Sequence, residues 1–330
     1  MPRSDFISLL LPISLLTIAA SVQSGETNNK QTISSPLISS QHKFSQADDK
    51  WQQHVNSLRA VKLEAGCGRM QNRLVTFEDG SKACARYRLN THLMQGEIYS
   101  YALGKLLGIT NLVPPATSLP DLKVNQWSRV PDAILQANWQ SNKLVILTKY
   151  IPDTTEVVLP EKLKSMTNFS ITPRDITPDN AEELAQWSDM IVFDYIVGNM
   201  DRLVNSLHNQ QWNANIMKMP IHNLMRKDNS LIFLDNEDGL FHGYQILDRY
   251  SQYHEQSLQS ICVFRESTYN HIKQLLHTDN LLNTIQEEVK GMDPRILKYL
   301  PKISNKTIKL LRDRLSRVLD HINNCLSRYS

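Results

Sequence analysis

The sequence predicts an α+β fold in which a small sheet-rich lobe comes first and a larger helical lobe follows. Three observations carry that expectation. Two strand-like runs, Arg73 to Phe77 and Lys82 to Arg88, flank Glu78-Asp79-Gly80-Ser81, where Asp-Gly is a strong hairpin signal. A helical pattern then runs from Gln95 to Leu107, with Ile98, Tyr101, Ala102, Leu106 and Leu107 on one face and Gly108 as its stop. The last third is helical and closes on a stripe of Ile308, Leu311, Leu315, Val318, Ile322 and Leu326. Between these, Leu144 to Tyr150 reads as a buried strand and Ser230 to Leu234 as a shorter one. Thr177-Pro178-Asp179 opens a long helix through Trp187, Ile191 and Tyr195, since a capping side chain and an early proline suit a first turn.

Ahead of the domain, Phe6 to Val22 carries no charge and Arg3 precedes it. This segment reads as an entry signal for the secretory pathway, in one of two forms. Small residues suit cleavage after Ser24, whereas an uncleaved segment would act as an anchor, though without a basic cluster on one side. Residues 25–57 are rich in Ser, Gln, Thr and Asn and are expected to form a flexible polar stem. The globular domain is expected over 58–330, with an N-lobe to about 150 and a C-lobe from about 151.

Four cysteines in an oxidising compartment allow three pairings. The economical one joins Cys67 to Cys84 and Cys262 to Cys325, each within one half of the domain, contributing roughly 3 and roughly 4 kcal/mol. No CxxC or CxH spacing suggests zinc. Asn168-Phe169-Ser170 and Asn305-Lys306-Thr307 are glycosylation sequons. Lys and Arg number 36 against 33 Asp and Glu, a net charge of +3 with no basic block, which argues against a nucleic-acid partner. A membrane contact is expected only through the N-terminal segment, if it stays uncleaved.

Two acidic positions suit chemistry. Asp201 lies in Gly198-Asn199-Met200-Asp201-Arg202, just past the long helix, where a carboxylate can serve as a general base. Asp235 ends the Ser230 to Leu234 run and opens Asp235-Asn236-Glu237-Asp238-Gly239, a setting for a hard cation that carries phosphate. Taken singly each has an ordinary reading: a helix-end carboxylate paired with Arg202, and an Asp/Asn turn. Taken together, with Arg86 on a strand and Glu97 on the next helix, they follow the layout of a protein-kinase core, although no GxGxxG lid is present.

From about residue 60 onward the chain also resembles the Four-jointed family of Golgi protein kinases, and more distantly the secretory casein kinases. The resemblance rests on Cys67-Gly68-Arg69, Asn72-Arg73-Leu74, Ala83-Cys84-Ala85-Arg86-Tyr87, Gln95-Gly96-Glu97 and Val113-Pro114-Pro115. It continues through Phe193-Asp194-Tyr195, Asp201-Arg202-Leu203-Val204, Phe233-Leu234-Asp235-Asn236-Glu237, His242-Gly243-Tyr244 and Cys262-Val263-Phe264-Arg265. It implies an atypical two-lobed protein-kinase-like fold and transfer of the γ-phosphoryl of ATP, with Mg²⁺ or Mn²⁺, to Ser or Thr. The implied substrates are extracellular cadherin repeats of the Fat and Dachsous type, met in the Golgi lumen or after secretion. By the same resemblance Asp201 is the base, Asp235 the metal ligand, Glu97 the helical Glu and Arg86 the nucleotide-binding cation, where distant relatives have Lys. Lys149 and Tyr150 fall where the lobes join and adenine rests.

Two features depart from the pattern. The second metal ligand is either Asn205 or Ser206, and the excess chain between Asp201 and Asp235 is expected as a surface excursion near His208 to Arg226. Two other readings stand beside the kinase: a lumenal pseudokinase that binds nucleotide or a partner, for which Arg86 and Ser206 speak, and a lumenal sugar kinase with the same catalytic residues.

Overall fold

The structure, a computed structural model, describes residues 35–39, 50–68, 71–165 and 167–329. The apolar segment Phe6 to Val22, most of the expected stem, and Arg69 lie outside the described residues. Among the described residues no helix is long and apolar enough to cross a membrane.

In chain order the elements begin with strand β1 (Leu37–Ile38) and helix α1 (Trp51–Ser57). Strands β2 (Ala60–Ala65), β3 (Arg73–Phe77) and β4 (Lys82–Tyr87) follow, then helix α2 (Thr91–Leu106), β5 (Pro115–Ser118), α3 (Pro131–Gln136) and β6 (Val145–Lys149). Strands β2-β3-β4-β6-β5 form one antiparallel sheet. The β3–β4 turn sits at Asp79-Gly80, with Gly80 at φ +84 and Ser81 N–H donating to Asp79 Oδ1, as the sequence predicts. Helix α2 starts four residues before the expected Gln95, because the Asn90 side chain accepts from His92 N–H and caps it there.

The outer face of this sheet carries its own core of Val75, Phe77, Tyr87, Trp127, Trp139, Val145 and Leu147. Helix α1 completes that core, which moves the domain boundary into the expected stem. Trp51 is 2 % exposed and its indole Nε1–H donates to Leu147 O at 2.8 Å. The Gln52 amide accepts from Thr117 N–H and donates to Thr117 O, so it pairs with the edge strand β5 as a further strand would. Strand β1 pairs in parallel with Phe264 and Arg265 in the large lobe. A window of mostly polar composition hides such anchors, because a few residues, Ile38, Trp51 and Val55, carry the burial.

The large lobe continues with β7 (Thr155–Val158), α4 (Glu161–Lys164), α5 (Ala181–Val197) and α6 (Leu203–Asn209). After these come β8 (Pro220–Lys227), β9 (Ser230–Phe233), α7 (Phe241–Gln245), α8 (Leu247–Gln259) and β10 (Phe264–Arg265). Helices α9 (Glu266–His277), α10 (Leu281–Met292) and α11 (Asn305–Tyr329) end the fold. Helix α5 is buried almost throughout and forms the lobe's axis. It starts at Ala181, a little past Thr177-Pro178-Asp179, whose turn is closed by Thr177 N–H donating to Asn180 Oδ1. It ends at Gly198, which takes φ +71, where a Cβ would stand 2.9 Å from the Tyr244 ring.

The expected excursion after Asp201 is only partly loop. Strand β8 lies between β7 and β9, with Ile221 and Leu224 buried, so this stretch builds a sheet that ends at Asp235. Helix α11 buries Leu311, Leu315, Val318, Ile322 and Cys325 against the lobe. The cysteines pair Cys67–Cys84 and Cys262–Cys325, with Cα–Cα separations of 5.6 and 5.4 Å. Arg265, fully buried beside the second bridge, is held by Asp189 at 2.7 Å and Glu182 at 3.0 Å.

Trp51 generates a test of where the domain begins. Trp51→Ala is expected to cost about 3–5 kcal/mol of folding stability, read by chemical denaturation, whereas a residue of a detached stem would change nothing.

Candidate active site

The site forms where β4 from the small lobe meets the turn after β9 from the large one. Arg86 on β4 and Arg88 just past its end are two residues apart, so strand alternation projects both from the same face. Asp235 and Glu237 are likewise two apart in the turn. The four side chains interlock. Arg86 Nη1 pairs with the Asp235 carboxylate and lies 3.2 Å from Glu237 Oε1. Arg88 grips Glu237 with both arms, Nε to Oε2 at 2.5 Å and Nη2 to Oε1, a bidentate fork. Its remaining arm, Nη1, donates to Asn72 Oδ1 at 2.6 Å.

Asn72 in turn donates to Cys67 O at 2.6 Å, and Cys67 is bridged to Cys84 on β4. The short β2–β3 loop, Gly66-Cys67-Gly68, is therefore fixed to the charged cluster by one disulfide and one hydrogen-bonded side chain. These links, not a GxGxxG sequence, connect the loop to the charged cluster.

Helix α2 delivers Glu97 by an unusually close approach. A Cβ on Gly96 would stand 2.0 Å from Glu237 O, so only glycine lets the helix pass the turn at that distance. Glu97, 1 % exposed, accepts the Asn236 backbone N–H at 2.7 Å and adds a negative field at Arg86. Its hydrogen bond therefore goes to the turn that carries Asp235. Burial pushes the Glu97 carboxyl above the usual range, against the pull of Arg86.

Asp201 lies opposite, after α5. Its N–H donates to Asn199 Oδ1 at 2.9 Å, and its Oδ2 accepts from Asn223 Nδ2 at 2.6 Å. Burial, together with the charges of Asp238 and Asp235, holds the Asp201 carboxyl above the ordinary aspartate range, which suits a proton acceptor. Arg202 does not pair with Asp201. It is fully buried, bonds Asp194 of α5 through Nε at 3.0 Å, and donates to Leu234 O at 2.8 Å and Asn236 Oδ1 at 2.9 Å. Arg202 thereby ties the long helix to both ends of the Asp235 turn.

The charges balance unevenly. Burial raises both strand-end carboxylates, but Arg86 wins at Asp235 and holds it below the usual range. At Glu237, burial and the Asp235 charge prevail over Arg88 and push the carboxyl up to about 7. Arg86 Nε is buried and has no hydrogen-bond partner, a donor left unsatisfied beside the carboxylates. No three His, Cys, Asp or Glu side chains converge as a metal centre among the described residues. The donor set therefore fits a cation that shares its ligands with phosphate oxygens, with Asp235 as the carboxylate nearest the Arg86 donor.

Several other expected positions stand apart. Lys149 projects to the outer face of the sheet, with Nζ 5.9 Å from the centre of the Trp51 ring, while Tyr150 is exposed and donates its N–H to Lys82 O. Asn205 and Ser206 lie on α6, where Asn205 Oδ1 already accepts from Asn209 Nδ2 at 2.7 Å. Asn168 and Asn305 are both exposed. Sequence reasoning missed Arg88 and Glu237 as partners, and Asn223 altogether. The two-residue spacing of Arg86 and Arg88 was the available signal for the first pair; nothing local marks Asn223.

A small antiparallel sheet with one helix beneath it, set on a helical lobe with a strand-borne cation facing a strand-end carboxylate, defines a protein-kinase-like fold. The solved Golgi casein kinase with Mn/ADP bound shares it, with a TM-score of 0.56 over 85% of this chain and 76% of that one, at 14% identity. The structure of hydra Fam20 with sugar matches with a TM-score of 0.52 over 84% of this chain and 88% of that one, at 15% identity. The family model described as the Four-jointed box protein middle domain matches residues 46–328. The chain belongs to the four-jointed box protein family.

Among its relatives, the extracellular serine/threonine protein kinase four-jointed of Drosophila melanogaster is 37% identical over 83% of this chain and 56% of its own length. Four-jointed box protein 1 of Homo sapiens is 36% identical over 84% of this chain and 66% of its own length. The chain thus spans between about half and two thirds of the length of these relatives.

The Arg88 fork generates the second test. Arg88→Met leaves Glu237 with Arg86 alone in a buried setting and is expected to cost about 3 kcal/mol in urea denaturation. Lys62→Met, which breaks the exposed pair with Glu64, is expected to change stability by less than about 1 kcal/mol.

Proposed function

We propose that the chain is an ATP-dependent Ser/Thr protein kinase of the secretory pathway. The observation that carries this reading is the Arg86–Asp235 pair with its unpartnered Nε, facing a half-buried Asp201 whose Oδ1 accepts no hydrogen bond among the described residues. The fly relative, an extracellular serine/threonine protein kinase by name, and the Mn/ADP found with the casein kinase support it. Mg²⁺ or Mn²⁺, when bound, supplies neutralisation of phosphate charge. The chain's own residues do the rest. Arg86 turns its guanidinium to the phosphates, Glu237 and Glu97 keep it in place, and Asp201 takes the proton of the acceptor hydroxyl at Oδ1. A bond forms from that oxygen to the γ-phosphorus while the bond to the bridging oxygen breaks, and ADP leaves with the electron pair.

Extracellular cadherin repeats are the substrates in this reading, met in the Golgi lumen or beyond. The exposed Asn168 and Asn305 are open to glycosylation there. The two disulfides accord with an oxidising compartment.

Two tests follow. Asp235→Asn is expected to abolish metal-dependent ATP binding and phosphate transfer together. Asp201→Asn should leave calorimetric binding intact and cut transfer to a cadherin repeat by about 10²-fold or more. Transfer at the parent rate by Asp201→Asn would remove the base assignment. ATP binding with no transfer to repeats would favour a pseudokinase, and transfer to glycans alone a sugar kinase.

The second test is pH dependence. Asp201 must be deprotonated to act, and the negative charge of Asp238 raises its pKa. Asp238→Asn should therefore move the acidic limb of the kcat–pH profile to lower pH. An unmoved limb would mean that another group sets it.

A further inference from the structure

Asn223 hydrogen-bonds Asp201 and lies across the sheet from the residue before Asp235. It lies on β8, in register opposite Leu234, whose N–H donates to Asn223 O at 3.0 Å, one residue from Asp235. Its backbone adopts φ +55, a left-handed conformation that asparagine tolerates better than most residues. That kink interrupts the pleat and turns the side chain to Asp201, where Nδ2 stands 2.6 Å from Oδ2. Only the NH2 end of an amide can donate to a carboxylate, so the chemistry fixes which end is which. The other end, Oδ1, accepts no hydrogen bond among the described residues and is a neutral oxygen of the kind hard cations take.

The two residues expected to supply that oxygen are placed differently. Asn205 Oδ1 is engaged by Asn209, and Ser206 is buried in the same short helix. We propose that Asn223 does both tasks: its N–H fixes the rotamer of Asp201, and its carbonyl oxygen is the second protein ligand, beside Asp235, for the cation that accompanies the nucleotide. This rests on the kinase reading above. The excess chain between Asp201 and Asp235 would then have a purpose, since it carries Asn223 back to the site from the far side of α6.

The test is a Mn²⁺ titration in the presence of ADP, followed by the electron paramagnetic resonance signal of free Mn²⁺, on the full chain. Asn223→Gly removes the side chain but keeps the left-handed backbone without strain, so its thermal midpoint should stay near that of the parent. It is expected to raise the Mn²⁺ concentration needed for half-saturation about ten-fold or more. Asn223→Asp keeps an oxygen but loses the N–H and sets a second charge against Asp201. It should hold Mn²⁺ with ADP better than Asn223→Gly while losing phosphate transfer.

If Asn223→Gly takes up Mn²⁺ and ADP as tightly as the parent while Asp235→Asn does not, this inference is overturned and the kinase reading survives. The same follows if Asn205→Ala or Ser206→Ala weakens uptake more than Asn223→Gly. If the parent takes up neither, both readings fall.

Discussion

The two lobes meet through a lattice of two arginines and two carboxylates, and the rest of the site is arranged around it. Arg86 on β4 and Arg88 just past its end reach Asp235 and Glu237 on the turn after β9. Bare buried charges are costly, so such a cluster persists only while each member has partners. The partners lead outward. Arg88 leads through Asn72 to the disulfide-bound loop at Cys67, and the turn's Asn236 leads to Glu97 on one side and to Arg202 and Asp194 on the other. The disulfide-bound loop, the small-lobe helix and the long axis of the large lobe are thereby referred to one point.

That arrangement explains residues that carry no chemistry of their own. Gly96 is required because α2 must pass within contact of the Glu237 backbone to bring Glu97 to Asn236. Arg202, next to the proposed base, is structural: it braces α5 against the Asp235 turn and leaves Asp201 to Asn199 and Asn223. An arginine at position 86 also has a reason. A planar guanidinium can face Asp235 and Glu237 with one arm and keep further N–H donors besides, which a lysine's single ammonium cannot do in the same geometry.

The proposed reaction would draw on opposed charges held at fixed places. Asp201 is kept basic by neighbouring carboxylates, and Asp235 is kept ionised by Arg86. Nucleotide phosphates entering between them would exchange one anionic partner of Arg86 for another, with little net change in buried charge.

By itself the sequence determined the order of lobes, the Asp-Gly hairpin, the strand before Asp235 and the stripe on the last helix, because each is written in local periodicity and turn chemistry. It also determined Arg86, Glu97, Asp201 and Asp235 as the group to watch, through motif order. Only the tertiary structure decided that Trp51 and Gln52 belong to the domain, since a single anchor in a polar stretch has no period to detect. It alone turned Lys149 toward Trp51, bonded Glu97 to Asn236, and brought Asn223 to Asp201 across 22 positions of chain. Those outcomes depend on which strand lies beside which and on how closely α2 can approach a turn. Such distances arise between segments far apart in sequence, where no local pattern records them.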